Sequence, residues 1–128
     1  MKKQNLPLSP HLQIYKPQMT SVLSISHRVT GFALNLTLII LVLGLFCIML
    51  GEEYFNIYLK FFDTIPSKII IYLSLLGFFY HMLNGIRHII WDFGFFLENR
   101  SSSILGYLVI FLSISASIYL SIILGLFK

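Results

Sequence analysis

The sequence predicts an all-α integral membrane protein with three transmembrane helices, and three observations predict it. Of 128 residues, 57% are hydrophobic and only 11% are charged, against about 25% charged in an ordinary soluble domain. The charges are segregated: no Lys, Arg, Asp or Glu falls in 29–51, 69–86 or 101–127, and each gap is near the roughly 20 residues that span a bilayer. Basic residues cluster at one set of span ends. The spans read as about 22–50, 67–92 and 103–127, forming a single membrane-anchor domain over 1–128. No loop is large enough for a soluble catalytic domain. Any catalysis lies in the membrane or is shared with other chains.

Residues 1–20 are expected to be irregular. Lys2 and Lys3 lead into a stretch broken by Pro7, Pro10 and Pro17, with no apolar core of a signal peptide and too little Arg for a transit peptide. That stretch is expected to lie against the membrane or a soluble partner, on the side where the chain is made. The first span contains the lone Cys47, which leaves no intrachain disulfide and reads as packing. The loop from Glu52 to Pro66 carries Y-F-N-I-Y-L-K-F-F, whose aromatics suit the membrane–water interface. The second span leads into a short loop near 93–102. Ser113, Ser117 and Ser121 on the third span, each four residues apart, read as helix packing.

Orientation follows from the basic residues near span ends. Lys2, Lys3, Lys16, Arg28, Arg87 and Arg100 fall on one side; Lys60, Lys68 and Lys128 fall on the other. The N-terminus is therefore expected inside. The net charge of +4 reads as this bias and not as a nucleic-acid footprint.

Two polar stripes carry the chemistry. On the second span Ser74, Gly77, His81, Asn84 with Gly85, His88 and Asp92 recur at spacings of three and four, which is one helical face. His81 and His88 are two turns apart, about 10 Å along the axis. His81 lies about 18 Å along the helix from Ile69, past mid-membrane, and His88 and Asp92 lie near the inner interface. On the first span Ser24, Arg28, Gly31 and Asn35 share a face, with His27 beside them. Ser24, His27 and Arg28 are then expected at the depth of His88 and Asp92.

A histidine inside a membrane span is costly and by default marks a functional site. His81 at depth, with Arg28, His27 and His88 nearer the surface, suits haem b standing on edge: His81 on the iron, the propionates toward the interface. His81 and His88 point the same way and cannot ligate one iron from opposite sides, and His27 reads as too shallow to oppose His81. The opposite ligand then comes from another chain. Ser24 and Arg28 suit a quinone, whose carbonyl needs hydrogen-bond donors and a nearby cation as it is reduced. Plainer readings stay open: an interhelical hydrogen bond for His81, a snorkelling interface anchor for His27–Arg28, and interface capping for His88 and Asp92. Tyr80 and Trp91 read as packing and belt residues.

The stretch S-P-H-L-Q-I-Y-K-P-Q-M-T-S-V-L-S-I-S-H-R-V-T-G (Ser9–Gly31) and the stretch H-M-L-N-G-I-R-H-I-I-W-D (His81–Asp92) together resemble the cytochrome b large membrane-anchor subunits of succinate dehydrogenase (complex II), of the alphaproteobacterial and mitochondrial type. The resemblance implies Ser24 and Arg28 at the ubiquinone site, with His27 close to quinone and haem propionates. It implies His81 as the haem b axial ligand and His88 near the propionates. It further implies a second anchor subunit giving the opposite ligand, an iron–sulfur subunit, a flavoprotein that oxidises succinate, and a bacterial or mitochondrial inner membrane. Two rivals remain at this stage: the anchor of a quinol:fumarate reductase, and a haem-free structural scaffold.

Overall fold

The computed structural model describes residues 17–127. Four helices follow one another: α1 (Met19–Leu50), α2 (Glu52–Phe62), α3 (Ile65–Asp92) and α4 (Asn99–Ile123). No strand occurs among the described residues. Helices α1, α3 and α4 are each long and apolar enough to cross a membrane, as the charge gaps predict. Their ends differ from the expected ones because hydropathy marks the apolar stretch and not the helix. Helix α1 starts at Met19, right after the extended Gln18, so residues 19 and 20 are helical and not irregular; residues 1–16 lie outside the described part. Helix α4 takes in the polar N-R-S-S-S run at its start and stops before Gly125, whose φ of 62° turns the chain.

The segment after α1 is a helix, where a loop was expected. Gly51, at φ 116°, makes a corner that an L side chain would strain, and α2 then runs for 11 residues. Glu52 and Glu53 sit in its first turn and Lys60 in its last, the charge order that the helix dipole favours. Tyr58 holds α2 against α1: its hydroxyl donates to the Ile40 carbonyl at 3.1 Å. Its ring fills the space beside Gly44, where a Cβ would come within 2.8 Å. The aromatics at 54, 55, 58, 61 and 62 recur at helical as well as interfacial positions, which is why composition alone did not reveal the helix.

Packing is inverted relative to a water-soluble protein. Helix α3 packs on both α1 and α4. The buried apolar residues are Leu23, Tyr80 and Val109, whereas Ser67, Asn84, Arg87, Ser102, Ser113, Ser117 and Ser121 are buried polar ones. Large side chains such as Phe32, Leu36, Phe46, Phe111 and Ile122 face outward. Between membrane helices there is no hydrophobic driving force, so small and polar residues fill the contacts. The serine stripe of α4 does so: Ser113, Ser117 and Ser121 are buried, and their hydroxyls donate to carbonyls of their own helix. Cys47 is half-buried and free, in keeping with a packing role.

Candidate functional site

The first turns of α1, the last turns of α3 and the start of α4 meet at one end of the bundle, and the imidazoles gather there. The rings of His27 and His81 stack with centroids 3.9 Å apart and planes 6° from parallel. His88 tilts against His27 at 5.4 Å, and Trp91 meets His88 edge-on at 5.1 Å. Two polar segments far apart in sequence thus form one cluster.

His81 is held from one side. Its Nδ1 lies 3.1 Å from the His27 carbonyl and 3.4 Å from the Thr30 hydroxyl. A carbonyl only accepts, so this contact selects the tautomer with the proton on Nδ1 and leaves the lone pair on Nε2. Thr30 is itself fixed, since its hydroxyl donates to the Ser26 and His27 carbonyls at 2.9 Å each. Gly31 lets the ring lie against the α1 backbone: a Cβ there would come within 2.9 Å of His81 Cε1. Nε2 has no hydrogen-bond partner among the described residues.

The depth argument for His27 needs correction. Its ring does not lie a level away from His81 but directly upon it. Stacked face to face at 3.9 Å, the two rings do not face each other across a gap that could hold a group between them. Nor do the three histidines converge on a bare ion, because no set of three His, Cys, Asp or Glu among the described residues is placed to hold one.

The polar stripe of α3 splits in two. Gly77 and Gly85 turn toward α1 with His81, close to Thr30 and His27, and Ser74 meets Thr37 of α1 at 3.1 Å. Asn84 does not belong to that face. It is fully buried and accepts from Arg87 at 3.3 Å, which in turn reaches α4. Asp92 is exposed and forms no ion pair among the described residues. On α1, Ser24 is half-buried and Arg28 and Asn35 are exposed; Asn35 donates to the Gly31 carbonyl at 3.0 Å. Arg28 thus follows His27 directly on α1 with its side chain exposed, and Ser24 lies about one turn before it.

Arg87 is the residue that sequence reasoning missed, having counted it as a surface charge. It is 2% exposed. Its guanidinium donates to Asn84 Oδ1 at 3.3 Å and to both the carbonyl and hydroxyl of Ser102 at 3.0 Å. It also lies 3.9 Å above the Trp91 ring. The signal was present: Tyr80, Asn84 and Arg87 lie four and three residues apart and so share a face. Tyr80 on that face is buried and donates to the Leu23 carbonyl at 2.9 Å, which confirms its packing role.

Three apolar spans with a polar interior and an imidazole cluster near one end define a membrane-embedded subunit built around an intramembrane histidine site. The chain belongs to the succinate dehydrogenase/fumarate reductase transmembrane subunit family, whose model matches residues 2–120. Among similar proteins, the succinate dehydrogenase cytochrome b556 subunit of Rickettsia felis is 42% identical over 108 residues, 84% of each chain. The cytochrome b560 subunit of Marchantia polymorpha is 41% identical over 114 residues, covering 85% of this chain and 83% of its own. That of Chondrus crispus is 38% identical over 122 residues, 93% and 94% of the two chains. These relatives fall in the bacterial and mitochondrial groups that the two motifs predicted.

Proposed function

We propose that this chain is the large membrane anchor of a succinate:ubiquinone oxidoreductase, that His81 supplies one axial ligand of a haem b, and that Ser24 and Arg28 form part of the quinone-reduction site. The observation that carries the reading is the state of His81, with Nδ1 donating to a backbone carbonyl and Nε2 left with its lone pair. Haem iron takes a neutral imidazole nitrogen, and ligating histidines characteristically spend their other N–H on an acceptor that fixes ring and tautomer. Held there by His81, the haem would supply one-electron transfer.

The other residues fit the same assignment. Arg28, His27 and His88 lie within reach of the same end of the bundle and offer the donors that carboxylates call for. Ser24 offers a hydroxyl to a quinone carbonyl, and the exposed Arg28 guanidinium stabilises negative charge that builds on that oxygen. Arg28 is exposed and Ser24 half-buried, and a further subunit would complete the site. His27 is stacked on His81 and so is not placed to hold the same iron with it; a residue of a second anchor subunit would do so.

Arg28, Arg87 and Arg100 lie at the same end of the helices and Lys60 and Lys68 at the other, which supports an N-terminus on the cytoplasmic or matrix side of a bacterial or mitochondrial inner membrane. There the iron–sulfur and flavoprotein subunits dock and electrons from succinate arrive. The relatives from Rickettsia felis and Marchantia polymorpha are named for succinate dehydrogenase, which favours this direction of reaction over fumarate reduction.

The test is a pair of variants in the assembled complex. His81→Leu should abolish or strongly weaken the b-type absorbance. Arg28→Leu should keep that absorbance and lower quinone reduction by about 10²-fold or more, the usual loss for a donor to developing oxyanion charge. Wild-type spectra and turnover in both variants would overturn the assignment.

A further inference from the structure

Resting on the haem reading of His81, we propose that Arg87 is a positioning residue for the haem ligand, acting through an unbroken run of aromatic rings. The run starts at the Arg87 guanidinium, 3.9 Å over Trp91. It continues from Trp91 to His88 at 5.1 Å, from His88 to His27 at 5.4 Å, and from His27 to His81 at 3.9 Å. Arg87 itself makes no hydrogen bond or ring contact with His81; its partners are Asn84, Ser102 and Trp91.

Three observations support this. First, the ring atoms of His27 and His88 make no hydrogen bond among the described residues, and His27 Nδ1 is buried without a partner. Their orientation therefore rests on ring contacts. Second, Trp91 Nε1 is likewise buried and unpartnered, so no hydrogen bond fixes the indole either; the guanidinium above it and His88 beside it do. Third, Arg87 ties the outer end of the run to α4 through the two bonds to Ser102, as the Nδ1 contact of His81 ties the inner end to α1. An exposed cation would serve as an interface anchor. A buried arginine that no carboxylate pairs with among the described residues, and whose Nε is also unpartnered, is a costly choice in a membrane. Orienting the outer layer around a metal ligand is a role in which such a residue changes affinity and electronic properties without contact.

Arginine is suited to it in a way lysine is not, because only the planar guanidinium can lie flat on an indole while donating edgewise to two oxygens. Removing it frees the indole, then His88, then the ring stacked on His81. Loss of a packed neighbour at one end is transmitted because His27, His88 and Trp91 are held by ring contacts and by no side-chain hydrogen bond among the described residues.

The experiment compares Arg87→Lys and Trp91→Leu in the assembled complex. The readouts are subunit content, haem per complex after a mild detergent wash, and the low-field g value of the oxidised low-spin iron, which responds to the relative orientation of the axial imidazoles. Trp91→Leu keeps the Arg87–Ser102 bonds, so the α3–α4 contact survives while the run is cut. Both variants are expected to shift or broaden the low-field signal and to lose haem on washing, with Trp91→Leu retaining wild-type subunit content. A wild-type signal and full haem retention in Trp91→Leu would overturn the proposal, whatever Arg87→Lys does. Fewer complexes with an unchanged signal per complex in Arg87→Lys would also overturn it, assigning Arg87 a purely structural role. So would failure of both variants to accumulate. A wild-type complex without b-type absorbance would instead overturn the haem reading, and this proposal with it.

Discussion

Gly31→Ala isolates the geometry of His81, the proposed haem ligand, from the stability of the helix. The new methyl group would stand 2.9 Å from His81 Cε1 and 3.4 Å from Nδ1, whereas carbon atoms rest about 3.6 Å apart at best contact. The ring must therefore retreat from α1 by about 0.7 Å. The Nδ1–His27 carbonyl distance, 3.1 Å now, then grows to as much as about 3.8 Å, beyond hydrogen-bonding range. Losing that bond costs about 1 kcal/mol. Exchanging glycine for alanine inside a helix returns about 1 kcal/mol. The two nearly cancel, so the subunit should fold and assemble as before while its imidazole is misdirected. Disturbing the groups that orient a metal ligand lowers metal affinity by about 10- to 100-fold. The assay is a reduced-minus-oxidised spectrum, normalised to complex content. The matched control is Gly85→Ala, whose Cβ would meet only His27 Cε1 at an ordinary 3.8 Å and should leave haem content unchanged. Equal haem in both variants would refute the reasoning.

Other variants test the surrounding structure. Tyr58→Phe removes the bond to the Ile40 carbonyl but keeps the ring beside Gly44, so α2 should be loosened by about 1 kcal/mol, seen as faster proteolysis after Lys60 with haem unchanged. Gly44→Leu forces that ring away altogether and should expose α2 far more in the same assay. Ser102→Ala leaves Arg87 its carbonyl acceptor but takes the hydroxyl, which should cost about 1–3 kcal/mol and lower the thermal inactivation temperature of the complex.

The spans were legible because lipid imposes a single demand on all of them: long runs without charge. Their ends were less so, since Asn99 and Arg100 are helical yet polar, and only the Gly125 turn stops α4. Helix α2 escaped notice because aromatic residues mark both an interface and a helical face, and the deciding contact, Tyr58 on Gly44, joins residues 14 apart in sequence. The two motifs singled out the three histidines that the fold gathers into one cluster, but not how they sit. Helical spacing put His81 and His88 on one face correctly. It gave no measure of the offset between α1 and α3, so the stacking of His27 on His81 was out of reach. Arg87 was misjudged for a related reason: a charge near a span end reads as an anchor until the serines of α4 are seen to close over it.

The central claim, that His81 binds the haem through an otherwise unengaged Nε2, is tested most directly by His81→Gly in the purified complex, with and without added imidazole. The account predicts that the b-type spectrum is lost or converted to an unliganded form, and that millimolar imidazole, entering the space left by the ring, restores it. A spectrum unaffected by the substitution, or one that imidazole cannot alter once lost while the complex remains assembled, would contradict it.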